Sequence, residues 1–74
     1  MKIIDAYHLD HKLNMTTPPR LKNLIGTRPQ SYGAALAGLQ EGDEVHVEVS
    51  GKGFKSLGIE NGKGWIQRNF TYEY

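Results

Sequence analysis

The sequence predicts an all-β fold: a small, strongly bent barrel of five to six short strands with a long loop in its first half. Apolar and polar residues alternate over residues 44–49, which is the period of a half-buried strand. Glycine turns follow at residues 51–53 and 61–64, and Asn-Gly is the strongest short signal for a tight hairpin. Such a meander cannot bury its apolar face alone, so a closed barrel or a second sheet is expected.

The first half of the chain predicts one strand followed by loops. Residues 2–9 are expected to form the first strand. Residues 10–20 are expected to form an extended loop, because Pro18 and Pro19 cannot both lie in a central strand or a helix interior. Residues 21–26 carry apolar side chains that should pack on the core.

Residues 27–33 predict a second loop, and the segment after it is ambiguous. Residues 34–39 favour either a short strand or a single helical turn, since Gly33 and Gly38 bracket too few residues for a stable helix.

The second half predicts hairpins. Residues 44–49, 54–60 and 64–67 are expected to be strands, with Gly58 at a bulge or a close approach. Residues 71–74 are expected to form a final strand.

The composition limits the classes of function that the chain can have. The 74 residues make one domain, and the net charge of +1 is too balanced for a partner held mainly by phosphate contacts. There is no cysteine, and no apolar run approaches the ~20 residues of a membrane span. The N-terminal residues lack the apolar stretch of a signal peptide. We therefore expect a cytoplasmic location as expressed, unless the chain is part of a longer exported protein.

Three segments and one aromatic residue resemble the bacterial SH3 domain family. Residues 13–19, LNMTTPP, are similar to its opening L-N-x-R-x-x-P segment, with Thr16 in place of the arginine. Residues 37–47, AGLQEGDEVHV, are similar to its strand motif. Residues 61–66, NGKGWI, are similar to its closing turn and strand, and Phe54 stands where the family has an aromatic residue. The resemblance implies an SH3-like barrel that recognises peptidoglycan or a peptide through an aromatic groove.

The predicted groove lies between the long loop, residues 10–33, and the turn at residues 51–53. Its expected ligand-binding residues are Arg20, Tyr32, Phe54 and Trp65. Trp65 either stacks on a sugar ring or peptide at the groove floor or plugs the barrel. Tyr32 either contacts the ligand or covers the core.

The core is expected to gather around a half-buried Trp65. Its predicted members are the side chains of Val45, Val47, Val49, Ile66 and Phe70.

No catalytic, metal or cofactor site is predicted. The serines have no histidine at a telling spacing, and Asp5, His8, Asp10 and His11 lack a standard zinc spacing. The lysines at the hairpin tips are either cationic contacts or ordinary solvated turn residues.

The sequence therefore predicts a non-catalytic binding module for a peptide or a peptidoglycan-type ligand. The alternative is a stand-alone cytoplasmic adaptor or inhibitor, possibly phage-encoded, that binds a host protein. A start methionine without a signal sequence favours this alternative. Nucleic acid is the least favoured partner, and no membrane association is expected. The oligomeric state is left open.

Overall fold

The computed structural model describes residues 1–51 and 53–70. In these residues five strands form one antiparallel sheet in the order β2-β1-β3-β4-β5. The elements, in chain order, are β1 (Lys2–Leu9), β2 (Met15–Thr16), α1 (Pro19–Lys22), α2 (Tyr32–Leu36), β3 (Asp43–Val49), β4 (Gly53–Glu60) and β5 (Lys63–Phe70). The prediction of a mostly-β, antiparallel domain is confirmed.

The sheet is open, so the predicted closed barrel is not confirmed. Strands β2 and β5 form its two edges and do not pair with each other. Strand β2 is only two residues long, which gives it little edge with which to close a barrel. The apolar face is instead covered by two short helices, which contact β1 and β4.

The buried core lies between that face and the helices. It consists of Ile3, Ala6, Leu21, Ala35, Val45, Val47 and Leu57. The predictions for Val45 and Val47 are therefore confirmed, and Val49 packs against this cluster while partly buried. The prediction for Ile66 is wrong: its side chain is 44% exposed, because edge strand β5 has a neighbour on one side only. The predicted core position of the Phe70 side chain falls outside the described part of the chain.

The segment predicted as a long loop contains regular structure. Helix α1 begins at Pro19, where proline is tolerated because the first helical N–H has no partner within the helix. Helix α2 begins after Ser31, whose Oγ accepts a hydrogen bond of 3.1 Å from the Ala34 N–H. Of the two alternatives predicted for residues 34–39, the structure contains the helical turn, beginning two residues earlier.

The opposite side of the sheet, here called the uncovered face, has neither helix packed on it in the described residues. Pairing register places five residues there together: Tyr7 of β1, Glu44 and His46 of β3, Gly58 of β4 and Trp65 of β5. No helix in the described part of the chain is long and apolar enough to cross a membrane. The strand predicted for residues 71–74 lies outside the described residues.

Candidate functional site

The uncovered face carries a hydrogen-bonded group centred on Tyr7. The Tyr7 hydroxyl donates to Glu44 Oε1 at 2.9 Å and lies 2.8 Å from His46 Nε2. Since a hydroxyl has one proton, which Glu44 accepts, His46 Nε2–H is the donor to the tyrosine oxygen. The two rings meet edge to face, with centroids 5.3 Å apart. This geometry fixes the orientation of the imidazole.

His46 stays neutral near pH 7. Burial disfavours the imidazolium and lowers the pKa of His46 below its usual 6.5, although the charges of Asp5 and Glu44 partly oppose this shift. His46 is therefore a neutral donor to the Tyr7 hydroxyl oxygen.

Trp65 lies against the main chain of Gly58 on the neighbouring strand. A Cβ atom built on Gly58 would be only 2.5 Å from Cζ2 of the indole. Glycine at this position thus creates the room in which the ring lies. Of the two alternatives predicted for Gly58, a bulge or a close approach, the close approach is confirmed. The prediction that Trp65 is at least half buried is confirmed. Its predicted place among the core valines is wrong, because it is on the face opposite Val45 and Val47.

A pocket of about 590 Å³, here called the end pocket, opens where β1 ends, β3 begins and the β4–β5 turn lies. It is lined by His8, Leu9, Asp10, His11, Leu13, Glu41, Gly42, Glu44, Ile59, Glu60 and Trp65. These residues supply four carboxylates, two imidazoles, one indole and three aliphatic side chains. No lysine or arginine is among them in the described part of the chain.

Two of the pocket carboxylates are held ionised by main-chain donors. Asp10 accepts hydrogen bonds from the N–H groups of Asn14 and Lys12, each 2.8 Å long, and the Asn14 bond is the main reason its pKa is lowered. Glu41 accepts hydrogen bonds of 2.9 Å from the Gly62 and Asn61 N–H groups, which lower its pKa. Each carboxylate also fixes a turn at the rim of the pocket.

A buried charge cluster supports one wall of the pocket. Asp43 is fully buried and accepts two hydrogen bonds from the Arg20 guanidinium, 2.5 and 3.0 Å long. It also bonds His8 Nδ1 at 2.7 Å and the Gln40 N–H at 2.8 Å. Burial raises the pKa of Asp43, but these donors outweigh it and hold the pKa below its usual value. His8 is thereby anchored where it lines the pocket.

The four predicted groove residues do not line one groove. Arg20 lies on α1 and is bonded to a buried carboxylate. Tyr32 lies on the helix side of the sheet, packs against the core, and has the Lys55 ammonium 5.0 Å from its ring centroid. Phe54 shares the uncovered face with Trp65. Of the four, only Trp65 lines the end pocket, and the binding role of all four stays a prediction.

The acidic residues that line the end pocket were not predicted to lie together. Asp10 and the two imidazoles at His8 and His11 were considered as possible metal ligands. Among the described residues, however, no group of three metal-ligating side chains is arranged to hold an ion. The polar alternation of β3 was the available signal for Glu44. Glu41 and Glu60 lie in or beside turns, and only strand pairing brings them near Trp65.

Comparison with known proteins found no relative. No protein-family model, no curated protein and no solved structure matches this chain.

Proposed function

We propose that the chain is a non-catalytic binding module that holds a basic side chain of a peptide or partner protein in the end pocket. The observation that carries the proposal is the charge of the lining. The lining contains four of the chain's eight acidic residues. None of the chain's nine basic residues is among the described lining residues. The pocket is therefore strongly acidic in a chain whose net charge is +1.

An ammonium or guanidinium group would interact favourably with both the carboxylates and the indole of the lining. Carboxylates attract the charge, and a cation over an indole face contributes about 0.5–2 kcal/mol, more as water is excluded. The aliphatic stem of lysine or arginine can contact Leu9, Leu13 and Ile59 while its head reaches the acids.

A protein partner is favoured by the rim of the pocket. Leu13, which lines the pocket, is 78% exposed. Met15, two residues further along the chain in β2, does not line the pocket and is 63% exposed. Apolar side chains beside a charged pocket are typical of protein interaction surfaces. This is the adaptor interpretation of the sequence, with the bent sheet proposed as an open relative of the SH3-like barrel.

A cell-wall glycopeptide is the second candidate. Trp65 could stack on a sugar ring, and the neighbouring carboxylates could accept hydrogen bonds from its hydroxyl groups. The bacterial SH3 resemblance favours this ligand. The two candidates differ in whether the ligand must carry a positive charge in order to bind.

Trp65 makes the test direct, because it is the only tryptophan and its fluorescence reports on the pocket. The protein is titrated with blocked tripeptides that carry a central lysine, arginine or glutamate, and with soluble cell-wall fragments. We expect a saturable change of emission with the two basic peptides and none with the acidic one. Equal responses to basic and acidic peptides would contradict the proposal. A response to cell-wall fragments alone would transfer it to the second candidate.

Paired variants check the role of the carboxylates. Glu60 is exposed, lines the pocket, and its side chain has no hydrogen bond or ion pair to another described residue. Glu60→Gln should weaken binding of the basic peptides by about two- to fivefold. Glu48→Gln removes an exposed acid of β3 that does not line the pocket, so it should leave the affinity unchanged. Equal effects of the two variants would show that the pocket is not the binding site.

A further inference from the structure

The outer edge of β5 is the longest unpaired strand edge in the described part of the chain. This strand has eight residues and pairs with β4 on one side only. The other edge strand, β2, has two residues. An unpaired edge presents main-chain donors and acceptors that can add another strand.

The turn before β5 determines which main-chain groups point outward. Asn61 and Gly62 have φ of 54° and 75°, which is the type I′ geometry of a two-residue hairpin. The flanking residues Glu60 and Lys63 then form the closing hydrogen-bonded pair. Because the hydrogen-bonding direction alternates along a strand, the N–H and C=O of Gly64 and Ile66 face away from β4.

Two apolar features lie beside these outward groups. Ile66 is a large apolar side chain of this strand that is exposed, and it lies on the helix side of the sheet. Gly64 has no side chain, and Leu36 of α2 approaches it so closely that a Cβ atom there would lie 2.9 Å from Leu36 Cδ1. The edge therefore offers an exposed apolar side chain at Ile66, two residues from the apolar surface that Leu36 makes over Gly64.

We propose that this edge pairs with β5 of a second copy of the chain, antiparallel, so that two five-stranded sheets become one continuous sheet. The register places Ile66 of each copy opposite Gly64 of the other and beside Leu36. Each such pair exchanges both of its outward main-chain hydrogen bonds. The two-fold axis passes between the two Trp65 residues.

The edge is complementary to itself in this register, which favours a second copy over an unrelated strand. Ile66 of each copy would contact the Leu36 side chain that lies over Gly64 of the other copy, so apolar side chains meet on both sides of the two-fold axis. In this register Lys63 of each copy lies opposite Gln67 of the other, and Gln67 is uncharged, so no two like charges face each other at this pair. The net charge of +1 adds little repulsion between copies. The Trp65 ring lies against Gly58, toward β4, so the dimer leaves the end pocket accessible and does not depend on the proposed function.

Sedimentation equilibrium of the full chain over a range of concentrations tests the proposal. We expect a reversible monomer–dimer equilibrium. Ile66→Lys places a charge against the Leu36 side chain of the other copy and should weaken dimerisation by about tenfold or more. Ile25→Lys is the matched control, because Ile25 is 41% exposed, follows α1, and lies outside the edge. It should dimerise as the parent chain does.

Amide hydrogen exchange of the unaltered chain gives a second measurement that does not depend on a variant folding. The Gly64 and Ile66 amides should gain protection as concentration rises, whereas the Trp65 amide, bonded to β4, should be protected throughout. A chain that stays monomeric at all concentrations would overturn the proposal. So would a dimer in which the Gly64 and Ile66 amides exchange freely, or one that Ile66→Lys and Ile25→Lys weaken equally.

Discussion

Asp43 is the residue on which the largest number of described polar contacts converge. A carboxylate that is fully buried is tolerated only when its charge is paired and its oxygens are hydrogen-bonded. Arg20 of α1, His8 of β1 and the Gln40 N–H meet both needs. Among the described residues, no buried side-chain polar atom lacks a partner. Asp43 thus joins a helix, two strands and a loop beside the end pocket.

Asp43→Asn should destabilise the protein by about 1–3 kcal/mol, because the charge-assisted bonds to Arg20 and His8 are lost or weakened. The cost stays moderate because the side chains of Arg20 and His8 are 40% and 32% exposed and can regain water. Urea unfolding, followed by circular dichroism, measures this loss of stability. Glu48→Gln, the same change on an exposed side chain of β3, should stay within about 0.5 kcal/mol. Equal effects would show that the cluster contributes little.

Gly58→Ala should displace the Trp65 indole, since the new Cβ would lie 2.5 Å from the ring. Overpacking of this kind costs about 1–3 kcal/mol. We expect a lower unfolding midpoint together with a shift of the tryptophan emission. Gly38→Ala is the matched control, because no atom lies within 4 Å of a Cβ at Gly38. An unchanged emission spectrum in Gly58→Ala would contradict the close contact.

At the scale of the elements, the two helices are too short to be stable by themselves. Helix α1 has four residues and α2 has five, far below the length at which an isolated helix forms in water. Their stability comes from Leu21 and Ala35, which are buried against the sheet, and from the cap at Ser31. The sequence signals for helix were accordingly weak.

Removal of the α2 cap should be measurable in so small a domain. Ser31→Ala leaves the Ala34 N–H without its side-chain acceptor and should cost about 0.5–2 kcal/mol. Ser31→Asp keeps an acceptor at the same position and should retain most of the stability. Thermal unfolding of both variants tests this. If the aspartate and alanine variants melt together, the cap does not stabilise α2.

At the scale of the whole molecule, folding stability should fall in acid in two steps. The folded-state pKa of His46 lies below 6.5, so the unfolded chain binds its proton first and stability decreases as the pH falls through 6.5. Glu41 and Asp43 have folded-state pKa values below the usual 4.5 and 3.8. The stability that these two carboxylates contribute is fully present above those values and is lost as the pH falls below them.

Urea midpoints measured from about pH 8 to about pH 3 check both steps. His46→Gln should remove the upper step and leave the lower one. Stability that rises as the pH falls through 6.5 would contradict a neutral, partly buried imidazole.

Binding of the basic peptides should depend only mildly on salt. A single cation in the pocket releases few counterions, so the affinity should fall less than about tenfold between about 50 and 200 mM salt. Titrations at the two salt concentrations measure this. A drop of about 10³ or more with DNA, together with tight binding, would instead indicate a nucleic-acid partner.

The strands were predictable because their signals are local. Strand β1 was placed at its observed bounds, Lys2–Leu9, and the hairpin turn at Asn61 and Gly62 has the positive φ values that Asn-Gly favours. The alternation in β3 assigned Val45 and Val47 to the core. Neighbouring residues alone produce these features, so a single sequence determines them.

The arrangement of those strands was decided only by the tertiary structure. Whether a bent sheet closes depends on edges that are distant in sequence, and here the helices cover the apolar face in place of further strands. Trp65 was expected among the core valines, but the register of β5 against β4 places it on the opposite face, over Gly58. The end pocket likewise gathers residues from four strands and two turns. Alternation along a strand shows which residues share a face. Pairing between strands that are distant in sequence determines which other residues that face contacts.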